Sequence, residues 1–319
     1  MKPKVLITDA VHQVMIENFE ASNFEVTYQP TLSNSEVYDI IENYSMLVIN
    51  SKILIDKKMI DRASNLRVIG RLGSGKEIID LAYCAEREIV FHNSPEGNRD
   101  AVAEHAMGLL LSLLHNIQKS SNEVKEFNWL RERNRGIELK GKTVAIIGYG
   151  NTGMEMAKRL SAFGVRILAV DKYKQNYSDQ FVVESTMANV AKSADVVSVH
   201  LPLTSETTQL MDAKWFAQFH KQFFFINTSR GKIVHTKSLI EALESKLVIG
   251  AAVDVLENEN LTSYSEDERN QLGQLLAFEN VIITPHIAGW TFESKFKLAD
   301  LLSNKMILSW NYHRIVKVL

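Results

Sequence analysis

Three glycines, Gly148, Gly150 and Gly153, stand at the spacing G-x-G-x-x-G directly behind the apolar run Thr143–Ile147 and ahead of an amphipathic stretch at 154–163. This context predicts a strand, a tight turn and a helix. The first glycine would make the turn, the second would let a pyrophosphate approach the backbone, and the third would let helix and strand pack closely. The helix start, with Asn151 and Thr152, would offer free N–H groups and a positive dipole end to the phosphates. Asp171 closes the next apolar run, at 165–170, where an acidic side chain accepts hydrogen bonds from an adenosine ribose. Its charge would repel a 2′-phosphate, so the expected cofactor is NAD rather than NADP. Lys172 and Lys174 would soften that repulsion. A structural turn with an incidental aspartate explains the glycines but not the agreement of strand, helix and acid around them.

The same alternation runs through the rest of the chain. Apolar runs at 5–8, 24–28, 46–49, 67–69 and 89–91 read as short buried strands separated by helical stretches. A second series follows at 143–147, 165–170, 195–199, 223–226, 248–253 and 281–284. Continuous apolar strands alternating with helices predict parallel sheets covered on both faces. Between the two series, 100–119 reads as one helix and 122–136 as a polar segment, and 292–312 reads as a final helix. A chain of 319 residues exceeds one ordinary core. The expected class is α/β, with two doubly wound parallel-sheet domains of the Rossmann or flavodoxin-like kind.

Composition narrows the partners. A net charge of −2 provides no surplus of Lys and Arg against phosphates, so no nucleic acid is expected. The apolar runs are too short to span a bilayer, and the start, MKPKVLITDA, lacks a secretory signal core. A cytoplasmic location without membrane contact is expected. The single cysteine, Cys84, leaves no disulfide framework and no cysteine metal site, and it reads as filling a helix face. No metal cluster is apparent.

Several segments then fall into one order: NSPEGN at 93–98 leading into AVAE at 101–104, the Gly148–Gly153 loop, and LPLT at 201–204 with Thr207. NTSRG at 227–231, AVDVLENE at 252–259 and TPHIAG at 284–289 complete the series. In this order the chain resembles the D-isomer-specific 2-hydroxyacid dehydrogenases over nearly its whole length. The resemblance implies a cofactor domain, 98–287, inserted into a substrate domain made of 1–97 and 288–319. It implies NAD contacts from Ser74, Gly148, Gly150, Asn151, Thr152, Gly153, Asp171, Leu201, Thr207, Thr228, Ser229, Asp254 and Gly289, with Asp254 on the nicotinamide carboxamide. It also implies a homodimer through the cofactor domain, with the Trp129 region as a plausible contact.

The implied catalytic set is Arg230, Glu259 and His286, acting on a small 2-hydroxy or 2-oxo acid. Oxidation of such a substrate sends a hydride from C2 to the nicotinamide and a proton from the hydroxyl to a base, a task an imidazole performs near neutral pH. The carboxylate of Glu259 would orient the ring and favour its protonated form. The guanidinium of Arg230 would supply planar paired donors to the substrate carboxylate and polarise the C2 oxygen. Taken singly, each has a plainer reading. A strand-end histidine is more often a hydrogen-bonded surface residue, an arginine after a strand a salt-bridge partner, and Glu259 part of a solvated acidic and amide run. Only the joint pattern points to chemistry. His105, His115 and His200 have no complete constellation and read as structural or near the cofactor; His235 and Glu241 carry no motif.

Within the family, GRLGSG at 70–75 with EGNR at 96–99 most resembles D-3-phosphoglycerate dehydrogenases. The likeness implies that Arg71 holds a substrate phosphate and that N–H groups around Ser74 and Gly75 hold a carboxylate, as backbone nests do. The sequence departs from that branch at Lys76-Glu77-Ile78, where Val-Asp-Asn is usual, at Asn50, where an arginine is common, and at Asn260, where many relatives have proline. Lys76 would supply the charge missing at Asn50. Arg131, Arg133 and Arg135 read either as further phosphate contacts or as a solvated helix end. With Leu319 last, no C-terminal amino-acid-sensing domain is expected. A glyoxylate or hydroxypyruvate reductase with the same three residues is the alternative enzyme. A dinucleotide-sensing corepressor is the alternative of another class.

Overall fold

The computed structural model describes residues 2–316, with side chains through residue 312; residues 1 and 317–319, which the expected substrate domain includes, lie outside the described residues. The chain divides into two compact units: Met1–Asn98 with Trp290–Leu319, and Arg99–Gly289.

The first unit contains β1 (Lys4–Ile7), β2 (Glu25–Tyr28), β3 (Met46–Ile49), β4 (Val68–Arg71) and β5 (Val90–Asn93). They form one parallel sheet in the order β2-β1-β3-β4-β5, a doubly wound arrangement whose direction reverses between β1 and β3. Four helices run between these strands: α1 (Gln13–Ala21), α2 (Asn34–Ile40), α3 (Lys57–Arg62) and α4 (Leu81–Glu86). Two sides of each central strand are apolar, so each needs two covers. Val5, Ile7, Met46, Val48 and Val68 pack against Phe19 of α1 and against Ala299, Leu302 and Met306 of the last helix, Phe292–Val316. Leu6, Leu47, Ile49 and Ile69 pack on the opposite side with Val37, Met59 and Ile60. Cys84 lies in that second cluster. Burial pushes its thiol up to about 11, which leaves it protonated and unreactive.

The second unit begins with α5 (Arg99–Leu114) and α6 (Ile117–Lys125). Its strands are β6 (Thr143–Ile147), β7 (Arg166–Val170), β8 (Val182–Glu184), β9 (Val196–Val199), β10 (Phe223–Asn227), β11 (Val248–Val253) and β12 (Val281–Ile283). All pair in parallel, in the order β12-β11-β10-β9-β6-β7-β8. Helices α7 (Asn151–Leu160), α8 (Met187–Ser193), α9 (Ala213–Phe216), α10 (Thr236–Glu244) and α11 (Glu266–Ala277) connect them, and the last helix of the chain is α12. An all-parallel sheet collects its β-to-α loops along one edge, at the carboxyl ends of the strands. Arg159 of α7 reaches Asp100 at 3.2 Å and Glu104 at 3.0 Å, fixing α7 along α5.

The two-sheet α/β class expected from the strand pattern is the class observed. The single helix expected over 100–119 is two helices instead. Asn116 sits in the left-handed region, with φ 53, which an asparagine tolerates and which ends α5; the chain then restarts as α6 through Lys125, inside the supposed polar segment. Strand β8 was not expected, and α7 starts at Asn151, three residues before the amphipathic pattern becomes visible. Among the described residues, no helix is long and apolar enough to cross a membrane.

Candidate active site

In the second unit, β10, β11 and β12 are neighbours in register, with Asn227 opposite Val253 and Val253 opposite Ile283. Arg230, Glu259 and His286 follow their three carboxyl ends. The loops of Arg230 and Glu259 touch: a Cβ on Gly231 would lie 1.9 Å from the Leu256 carbonyl oxygen, so only glycine fits there. Glu257 stiffens this edge, accepting the Thr236 N–H at 2.7 Å and the side-chain amide of Gln209. The Nδ1 of His286 lies 2.9 Å from a carboxylate oxygen of Glu259, and both side chains are partly open to solvent. Arg230 is half-buried, with Nη1 donating to the Ser229 carbonyl at 2.8 Å.

The glycine loop behaves as its spacing demands. Gly148 has φ 95, and a Cβ there would strike the His200 carbonyl at 2.5 Å; a Cβ on Gly153 would strike the Gly148 carbonyl at 2.1 Å. Gly150 faces open space at the N-cap of α7, followed by Asn151 and Thr152. Asp171, just beyond β7, accepts the Tyr149 N–H at 2.9 Å, the Tyr173 N–H at 2.9 Å and the Lys174 N–H at 3.1 Å. It therefore ties the loop to the strand end while keeping acceptor capacity on one oxygen. The two lysines beside it have other partners: Lys174 donates to the Tyr149 carbonyl at 2.7 Å, and Lys172 pairs with Glu206 at 2.9 Å.

Four further residues border this edge. Leu201 is half-buried; Thr207 donates to the Pro202 carbonyl at 2.7 Å; Ser229 is buried and donates to the Val199 carbonyl at 2.6 Å. The buried hydroxyl of Thr228 has no partner among the described residues. Asp254 follows β11 and is wholly buried, with its carboxylate directed to the loop that carries His286 and Gly289.

The expected anion contacts lie in the first unit. Arg71 ends β4 and is buried, its Nε donating to the Asn50 carbonyl at 2.8 Å. Its Nη1 is 3.2 Å from a carboxylate oxygen of Glu77, which also accepts the Lys76 N–H at 2.8 Å. The guanidinium covers Gly75, where a Cβ would fall 1.5 Å from Nη1. Ser74 and Lys76 are exposed. Arg133 pairs with Glu279 and Arg135 with Glu132, so these two arginines are engaged in surface ion pairs.

Residues 107–288 match the model described as D-isomer specific 2-hydroxyacid dehydrogenase, NAD binding domain. A hydroxypyruvate reductase from Thermotoga maritima is 34% identical over 275 residues, which cover 86% of this chain and 88% of that protein. The chain belongs to the D-isomer specific 2-hydroxyacid dehydrogenase family. A D-3-phosphoglycerate dehydrogenase from Archaeoglobus fulgidus is 33% identical over 306 residues, 95% of this chain but 56% of that protein. This family member thus spans about half the length of the D-3-phosphoglycerate dehydrogenases it resembles. Among solved structures, the NADPH-dependent glyoxylate/hydroxypyruvate reductase from Sinorhizobium meliloti superposes with a TM-score of 0.80 at 26% identity, over 95% of this chain and 92% of that one.

The residues of this family member fit the NAD of the matched domain. The open face of Gly150 leaves room for a pyrophosphate, and the α7 N-terminus and the unpartnered Thr228 hydroxyl offer donors to a dinucleotide. Sequence reasoning missed the pairing of Glu77 with Arg71 and of Glu206 with Lys172, because neither carboxylate belongs to a motif. It also gave Thr284 no role of its own and read His105 only as structural or near the cofactor, although both approach Asp254.

Proposed function

We propose that this chain catalyses the reversible, NAD-linked interconversion of a D-2-hydroxy acid and its 2-oxo acid. The observation that carries the reading is the 2.9 Å contact of His286 with Glu259 at a strand edge shared with Arg230. NAD, when bound, supplies the hydride acceptor. His286 takes the hydroxyl proton of the substrate and returns it in the reverse direction. Glu259, on Nδ1, leaves Nε2 as the working nitrogen. Arg230 binds the substrate carboxylate and withdraws charge from the C2 oxygen.

The proposed substrate pair is D-3-phosphoglycerate and 3-phosphohydroxypyruvate, with Arg71 and the backbone around Ser74 and Gly75 as anion donors and Lys76 as a further charge. One observation favours a second reading, hydroxypyruvate or glyoxylate: Arg71 is already paired with Glu77. Self-association through the second unit is supported by its exposed apolar segment, where Phe127 and Trp129 are 99% and 77% accessible. We further propose a cytoplasmic setting.

Steady-state reduction of the three oxo acids with NADH tests the assignment. A clear kcat/KM advantage for 3-phosphohydroxypyruvate supports the first reading, and no advantage supports the second. His286→Gln should lose turnover by a factor of about 100 to 10,000 on the preferred substrate, with NADH binding by fluorescence unchanged. Full turnover in that variant removes His286 from the chemistry.

A further inference from the structure

His286 has a left-handed backbone, φ 55, a conformation uncommon for residues with a side chain, though histidine adopts it more readily than most. A residue held there needs an enforcing contact, and Asp254 provides several. One carboxylate oxygen accepts the Ile287 N–H at 2.9 Å and the Thr284 hydroxyl at 2.5 Å. The other accepts the Ala288 N–H at 2.8 Å. The Asp254 carbonyl accepts the His286 N–H at 2.7 Å. The carboxylate thus fills the concavity that successive N–H groups form after a left-handed residue. It has no exposed surface.

Thr284 links this carboxylate to helix α5. Its hydroxyl hydrogen goes to Asp254, so its oxygen accepts from His105, whose Nε2 lies 3.1 Å away. The same Nε2 is 3.6 Å from the Asp254 carboxylate. His105 is thereby oriented with Nε2 as its donor.

We infer that Asp254, Thr284 and His105 form a tether that presets the backbone of residue 286, making Thr284 and His105 positioning residues for the proton-transfer histidine. The role rests on the proposed function of His286. The tether gives the Asp254 carboxylate a task directed at the protein's own loop, beside the nicotinamide contact that the resemblance implies.

The test uses the full chain with Thr284→Val, which keeps the shape and deletes the hydroxyl, and Thr284→Ser, which restores it. Hydrogen exchange of the Ile287 and Ala288 amides is read without cofactor or substrate. The valine variant should exchange these amides about tenfold faster or more and lose about tenfold in kcat, with the NADH dissociation constant within roughly twofold. Serine should rescue both. His105→Phe, which leaves the Thr284–Asp254 contact in place, should move exchange and kcat the same way by about twofold to threefold, and it carries the test if the valine variant does not fold. Unchanged exchange and kcat in the valine and phenylalanine variants, failure of serine to rescue, or a loss confined to NADH affinity would each overturn the tether. A wild-type chain without turnover on any 2-oxo acid sinks the proposed function alone, because the exchange measurement still decides the tether.

Discussion

Glu77 places a carboxylate 3.2 Å from the buried guanidinium of Arg71, and the same oxygen takes the Lys76 N–H. These are the donors proposed for an incoming anion, so a doubly charged phosphate meets a resident negative charge. Removing one like charge in a partly desolvated setting is worth about 1 kcal/mol, roughly fivefold in kcat/KM. Glu77→Gln is therefore expected to raise kcat/KM for 3-phosphohydroxypyruvate relative to glyoxylate by about that factor. Parallel kinetics on the two acids measure it. An unchanged ratio would mean that Arg71 does not meet the phosphate. Nothing at positions 76–78 announces this pair in the sequence, because it depends on the chain folding back from Glu77 over Gly75 onto the end of β4.

The loops after β10 and β11 meet where Gly231 touches Leu256, and a methyl group there would press on backbone, which cannot turn aside. Gly231→Ala should cost about 1–3 kcal/mol of stability, read by urea denaturation, with a further fall in kcat as the Arg230 loop shifts. A wild-type midpoint would show that the loops can part without cost. At this scale much of the molecule is legible in sequence. The strands leading to Arg230 and His286 stand out because they are continuous apolar runs ended by NTSRG and TPHIAG, and the glycine loop because turn, strand and helix agree. The break at Asn116 is hidden, since the residues around it suit a helix and only tertiary packing sends one asparagine left-handed. Strand β8 is hidden because three residues at a sheet edge leave too short a pattern. The contacts of Asp254 are hidden because they join three segments distant in the chain.

For the whole molecule, the buried imidazole of His200 sets a limit on the acid side. Burial pushes it down from 6.5 to about 4, and its Nε2 is satisfied by the Ser198 hydroxyl at 2.9 Å. The unfolded chain takes up a proton near pH 6.5 that the folded chain refuses until about pH 4. The stability is present in full above pH 6.5 and declines as the pH falls toward 4, by up to about 3 kcal/mol. Thermal melts at pH 7 and pH 4.5 should show a smaller drop for His200→Gln than for the wild type; equal drops would place the acid sensitivity elsewhere.

The sheet of the first unit is complete in sequence by Asn93, but the helix that covers one of its faces begins at Phe292, after the entire second unit has been made. During synthesis, therefore, the face of Val5, Met46, Val48 and Val68 has α1 against it but lacks the cover of Ala299, Leu302 and Met306 while the intervening residues emerge from the ribosome. That interval is a window in which a chaperone, or another nascent copy, can reach strands that the finished protein hides.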